Sequence, residues 1–182
     1  MLEKLINLIR QHAGDSIINN PSIPNEKNEM AVETAGTSIL GTLKNALAGG
    51  RVNDVLGYFK QGQAGSPGLV REATDNYSHE LQNKLGIPAT AATNTASATI
   101  PNAMDQFARR TSDPADNNFD IQDIFNMLTG NKTGGLNIQS LLNKFGGSQL
   151  DKDRDGDVDL QDLQTMLTGN GGFLGKSKRM FN

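Results

Sequence analysis

The sequence has no cysteine and no tryptophan among its 182 residues. Without cysteine there is no disulfide, no thiolate zinc site and no cysteine nucleophile. Aromatic residues make up 5% of the chain, so any core has to be built mainly from Leu, Ile, Ala and Met. No stretch approaches the ~18 consecutive apolar residues that span a bilayer. Met1 to Arg10 contains Glu3 and Lys4 and lacks a long apolar centre, so it does not read as a signal peptide. A cytoplasmic protein is the expectation, with export left open.

An excess of one charge is also missing from most of the chain. The net charge is −3. Residues 1–110 hold ten Lys/Arg and ten Asp/Glu, which cancel. Residues 111–182 hold seven Lys/Arg and ten Asp, and six of those Asp fall between Asp151 and Asp162. The acidity is therefore a local feature. No strongly basic face is evident, which argues against nucleic acid as a partner.

Catalytic sets are lacking as well. The two histidines, His12 and His79, each fall near the polar side of a predicted helix and read as solvated. There is no Gly-x-Ser-x-Gly elbow, phosphate loop or His-Glu-x-x-His helix. Gly65-Ser66-Pro67 reads as a helix start, with Ser66 as N-cap and proline at the first helical position. The chain is expected not to be an enzyme.

The informative segment is Asp151-Lys152-Asp153-Arg154-Asp155-Gly156-Asp157-Val158-Asp159-Leu160-Gln161-Asp162. Asp occupies loop positions one, three, five, nine and twelve, with Gly at six and an apolar residue at eight. This is the spacing of a helix–loop–helix calcium site. Calcium takes 6–8 oxygens at about 2.3–2.6 Å, and alternate residues of a tightly curled loop turn their carboxylates inward. Gly156 permits the sharp reversal. Asp157 would offer its backbone carbonyl, Asp159 would act through water, and Asp162 would close the shell. The metal ligands expected from the sequence are thus Asp151, Asp153, Asp155, Asp157, Asp159 and Asp162, for one Ca2+ ion. The loop resembles an EF-hand, and Asp in the twelfth place, where Glu is usual, resembles the bacterial dockerin type.

The C-terminal third repeats itself. Phe119-Asp120-Ile121-Gln122-Asp123-Ile124 is echoed by Leu136 to Leu141 and by Val158 to Leu163. Each copy reads as one short helix with Asp120, Asn137 or Asp159 as N-cap and glycines at its end. An offset of 39 aligns Asp116, Asp120 and Asp123 with Asp155, Asp159 and Asp162. Ser112 and Pro114 stand where Asp151 and Asp153 stand, and Asn117 replaces the glycine. Too few anionic ligands remain in that first loop for an ion to be expected. The anticipated arrangement is one loop that binds and one that braces it, with Phe119 beside Val158.

The first 110 residues also show signs of duplication. Ile17 to Pro24 matches Leu81 to Pro88 at an offset of 64. Thr34, Ala35, Ser38, Ile39 and Leu43 match Thr95, Ala96, Thr99, Ile100 and Met104 at 61. Leu69, Ala73, Tyr77, Leu81 and Leu85 recur every four residues and predict one helical face. Val32, Ala35, Ile39, Leu43 and Leu47 predict a second, and Leu2, Leu5, Ile6 and Ile9 a third. Gly86 predicts the end of the Leu69–Leu85 helix, with Ile87 folding back on Leu81. Ala89–Thr99 is rich in Ala and Thr and reads either as a tightly packed helix or as a linker, with a kink at Pro101.

The leading helix Leu2–Gln11, the Ile-Pro turns and Ile39-Leu40-Gly41-Thr42-Leu43 followed by Gly49-Gly50 resemble the YidB-type family of small bacterial helical proteins of unknown function. The resemblance implies an all-helical, homeodomain-like bundle and supplies no catalytic residues. The expected fold is therefore all-α. A helical bundle over 1–110 precedes an EF-hand/dockerin-like calcium module over 111–182, which ends in a basic tail. The expected function is non-catalytic calcium binding in protein interaction or self-assembly, with the ion in a structural role. The alternative is a nucleic-acid-binding regulator using Arg109 and Arg110 on phosphates. A hydrolase with calcium as scaffold comes third. The tail from Phe173 to Phe181 offers at most weak membrane contact.

Overall fold

The computed structural model describes residues 1–113 and 115–130 together with Asn137, Ile138, Ser140 and Leu142. The described residues are helical and contain no strand. In chain order they form α1 (Leu2–His12), α2 (Asn28–Ala48), α3 (Val52–Gln61), α4 (Pro67–Leu85), α5 (Ala89–Ser112) and α6 (Ile121–Leu128). A π turn over Gly14–Ile18 and 3-10 turns over Asn25–Lys27 and Gly62–Gly65 fill the corners.

The three periodic faces account for the packing. Leu69, Ala73, Tyr77, Leu81 and Leu85 are all buried on α4, and Val32, Ala35, Ile39, Leu43 and Leu47 are all buried on α2. On α1, Leu5, Leu8 and Ile9 are buried, while Leu2 and Ile6 are half-buried. Leu8 widens the expected stripe by one position. α1 and α4 each pack against both long helices, α2 and α5. The five α2 positions and five α5 positions aligned at an offset of 61 are buried alike. Both Ile-Pro turns bury the isoleucine, and both prolines hold ψ near 140°, at 138° for Pro24 and 142° for Pro88. Lys27 Nζ, just past the first turn, donates to the Leu85 carbonyl just before the second at 2.7 Å.

α4 ends as its sequence predicts. Gly86 takes the left-handed conformation at φ 66°, and the Ile87 N–H reaches back to the Leu81 carbonyl at 3.1 Å. At the other end Ser66 does occupy the N-cap with Pro67 behind it, but its side chain makes no capping hydrogen bond. The Ala/Thr-rich stretch is helix and not linker. Ala92, Thr95, Ala96, Thr99 and Ile100 are buried, and α5 continues through Pro101 to Ser112. Small side chains let α4 and α5 approach closely, a compensation for the little bulk they bury.

Both tyrosines are sealed in this core and both donate to helix carbonyls. Tyr58 Oη reaches Met104 O at 2.6 Å, and Tyr77 Oη reaches Ala31 O at 3.1 Å. A buried hydroxyl needs such a partner. Burial pushes both phenols well above their ordinary range, and the negative charge of Asp105 pushes Tyr58 further.

Candidate metal centre and its first copy

Asp151, Asp153, Asp155, Asp157, Asp159 and Asp162, and the expected pairing of Phe119 with Val158, lie outside the described residues. The described part of the repeat region is the first copy and the start of the second.

The first copy docks on the bundle through its aromatic residues. Phe59 of α3 meets Tyr58 at 4.9 Å, Phe107 of α5 at 5.6 Å and Phe125 of α6 at 5.9 Å between ring centroids. Phe107 in turn meets Phe119 edge-on at 5.5 Å. Edge-to-face and tilted pairs at these separations are favourable beyond simple burial. Phe119, Ile121, Ile124, Phe125, Leu128 and Ile138 belong to one continuous core with the residues of α1 to α5. The sequence boundary at residue 110 falls inside α5, and packing continues across it.

Three carboxylates of the first loop, those of Asp113, Asp116 and Asp120, have partners within the chain. Asp113 Oδ1 accepts from Ala115 N at 2.9 Å. Asp116 Oδ2 accepts from Arg110 Nε at 2.6 Å, and its Oδ1 accepts from Asn118 N at 2.9 Å. Asp120 is the N-cap of α6, as its place in the repeat predicts. Its Oδ1 accepts from Gln122 N at 2.8 Å and Asp123 N at 3.1 Å. Ser112, aligned with Asp151, donates its hydroxyl to the Phe59 carbonyl at 2.7 Å. The second copy starts the same way: Asn137 Oδ1 accepts from Ser140 N at 2.9 Å. Ile138 N donates to Gln122 Oε1 at 3.0 Å, which joins the two copies. Among the described residues no group of three or more His, Cys, Asp or Glu is placed to hold a metal ion.

Removing the α6 cap is expected to cost about 1 kcal/mol, the usual loss for an N-cap side chain cut to alanine. Chemical denaturation of Asp120→Ala beside wild type measures it, and an unchanged midpoint would count against the cap.

The hydrogen bond from Arg110 holds the Asp116 carboxyl below its ordinary value of 3.8, with the Asn118 N–H adding to the effect. A carboxyl with a lowered folded pKa stabilises the fold above its unfolded value. That contribution is lost as pH falls through the folded value. An NMR titration of Asp116 is expected to give a midpoint below 3.8, rising toward it in Arg110→Gln. A wild-type midpoint at or above 3.8 would contradict the pairing.

The remaining candidates are placed simply. His12 and His79 are exposed. Arg109 pairs with Asp105 at 2.7 Å, and Arg110 with Asp116. No helix among the described residues is long and apolar enough to cross a membrane. Sequence reasoning missed the four-phenylalanine junction and the Arg110–Asp116 pair. The only available signal was the fall of four of the chain's seven Phe between Phe59 and Phe125.

The chain matches no protein-family model, no curated protein and no solved structure.

Proposed function

We propose that this is a non-catalytic calcium-binding protein that serves protein interaction or self-assembly, with calcium in a structural role at Asp151–Asp162. The observation that carries the reading is the ligand spacing of that segment: five Asp at ligand positions, a sixth offering its carbonyl, and Gly156 and Val158 where the loop needs them. A solvated acidic turn has no need of that order, and without a cation six clustered carboxylates repel one another. The first copy supports the reading indirectly, because a related stretch of chain forms an acidic turn leading into a helix capped by Asp120. The YidB-type resemblance of residues 1–110 remains part of the proposal and gives a helical platform for the module. The nucleic-acid alternative needs Arg109 and Arg110 for phosphates, and both are engaged with carboxylates of the chain.

Calorimetric titration of calcium, run beside thermal unfolding, tests the proposal. The full chain is expected to bind one ion with a dissociation constant on the order of micromolar or tighter. At a thousandfold excess over that constant the ion stabilises by about 4 kcal/mol. Both effects are expected to vanish in the double variant Asp151→Ala, Asp155→Ala. Absence of binding at millimolar calcium would sink the proposal.

A further inference from the structure

At three of the positions aligned with the Asp151–Asp162 ligands, Ser112, Asp116 and Asp120, the first loop has partners in the chain. Where the Asp151–Asp162 loop has Asp151, this loop has Ser112, and its hydroxyl donates to the Phe59 carbonyl at 2.7 Å. A carboxylate has no proton to give there. Where the other loop has Asp155, this one has Asp116, and the positive charge beside it is a guanidinium. Arg110 Nε lies 2.6 Å from Asp116 Oδ2, with the Asp116 side chain 12% exposed. The same guanidinium sits 4.7 Å from the ring centre of Phe119, which is itself packed on Phe107. One side chain thus neutralises Asp116 and covers the aromatic residue that leads into Asp120 and α6.

We propose that Arg110 is a tethered counter-cation that stands in for a metal ion in the first loop, clamping α6 to the bundle whether calcium is present or absent. The clamp stands on the described geometry, and it rests on the calcium reading only for the comparison of the two loops. The chain then carries two forms of one device. One is closed permanently by an arginine and the other is closed by calcium. The permanent one fixes the point on the bundle from which the calcium-dependent copy extends along the chain. Charge-assisted hydrogen bonds and cation–π contacts are the two interactions that give the guanidinium its hold.

Amide hydrogen exchange of the full chain, followed by mass spectrometry, tests the clamp. Wild type, Arg110→Gln and Asp116→Asn are compared in millimolar calcium and in chelator. In wild type, protection over residues 116–128 is expected to be the same in both conditions. In each variant it is expected to fall by about tenfold or more in both conditions, while α2 and α4 keep theirs. Loss of wild-type α6 protection on chelation would overturn the proposal, because an ion would then be holding the segment. So would wild-type protection in both variants, or loss across α2 and α4 in both. A chain that binds no calcium by calorimetry, yet shows Arg110-dependent protection of α6, would defeat the calcium reading and leave the clamp standing.

Discussion

Phe59→Ala is expected to lower the unfolding free energy by about 3–5 kcal/mol, the range for cutting a fully buried phenylalanine to alanine. Phe59 is 1% exposed and touches Tyr58, Phe107 and Phe125, so it joins α3, α5 and α6 at one point. The three rings come from three separate helices and cannot all collapse into the space left behind. That places the cost toward the upper end of the range. Because Phe125 loses its partner on α3, α6 is expected to open before the rest of the bundle. Denaturant unfolding followed by circular dichroism gives the free energy, and exchange of α6 amides gives the order of opening. A loss below about 1 kcal/mol, the scale of an ordinary point substitution, would show that the ring cluster does not organise this corner. Phe59→Leu keeps most of the volume and is expected to cost much less.

Gly65→Ala is the second large effect, expected at about 3 kcal/mol. A Cβ at Gly65 would sit 1.9 Å from the Gly57 carbonyl oxygen and 2.5 Å from its carbon. Both are backbone atoms of α3, so no side chain can swing aside to make room. The turn over Gly62–Gly65 would have to lift from α3, and Gly62 holds it there with φ 61° and ψ −140°, a conformation open to glycine. Gly68→Ala, where a Cβ meets nothing within 4 Å, is the internal control and is expected to be neutral or mildly stabilising. Equal midpoints for the two variants would rule out the close approach.

Neither large effect is visible in the sequence, whereas the helix faces are, and the difference is physical. Helix faces repeat every three to four residues, so the stripes of α2 and α4 are readable from residue type alone. Caps and stops are local chemistry too, which is why Asp120 and Gly86 fall where the sequence puts them. Ala89–Thr99 sits between the two cases. Its own residues are compatible with helix or linker, and the contact of α5 with α4 decides it. The Gly65–Gly57 approach, the ring cluster and the Arg110–Asp116 pair join residues on different elements or across a turn. Their geometry depends on how the helices cross, which no short stretch encodes. Of the candidate metal centre, the proposed ligands and their order are read from Asp151–Asp162 alone, because a hard cation demands a particular spacing of oxygens. The use of the related first loop as a docking corner is not written there, because it depends on an arginine outside the repeat.

The two sealed phenols carry a consequence for optical work on this protein. With no tryptophan in the chain, Tyr58 and Tyr77 are its strongest near-ultraviolet chromophores. Each is bonded across a helix seam, one between α3 and α5 and the other between α4 and α2. Tyrosine absorption, fluorescence and near-ultraviolet dichroism therefore report on those two seams. No tyrosine follows Tyr77, so the acidic segment is silent in the same signals. Light read from the native tyrosines follows the bundle, and events at Asp151–Asp162 become visible only through a probe placed there or through heat.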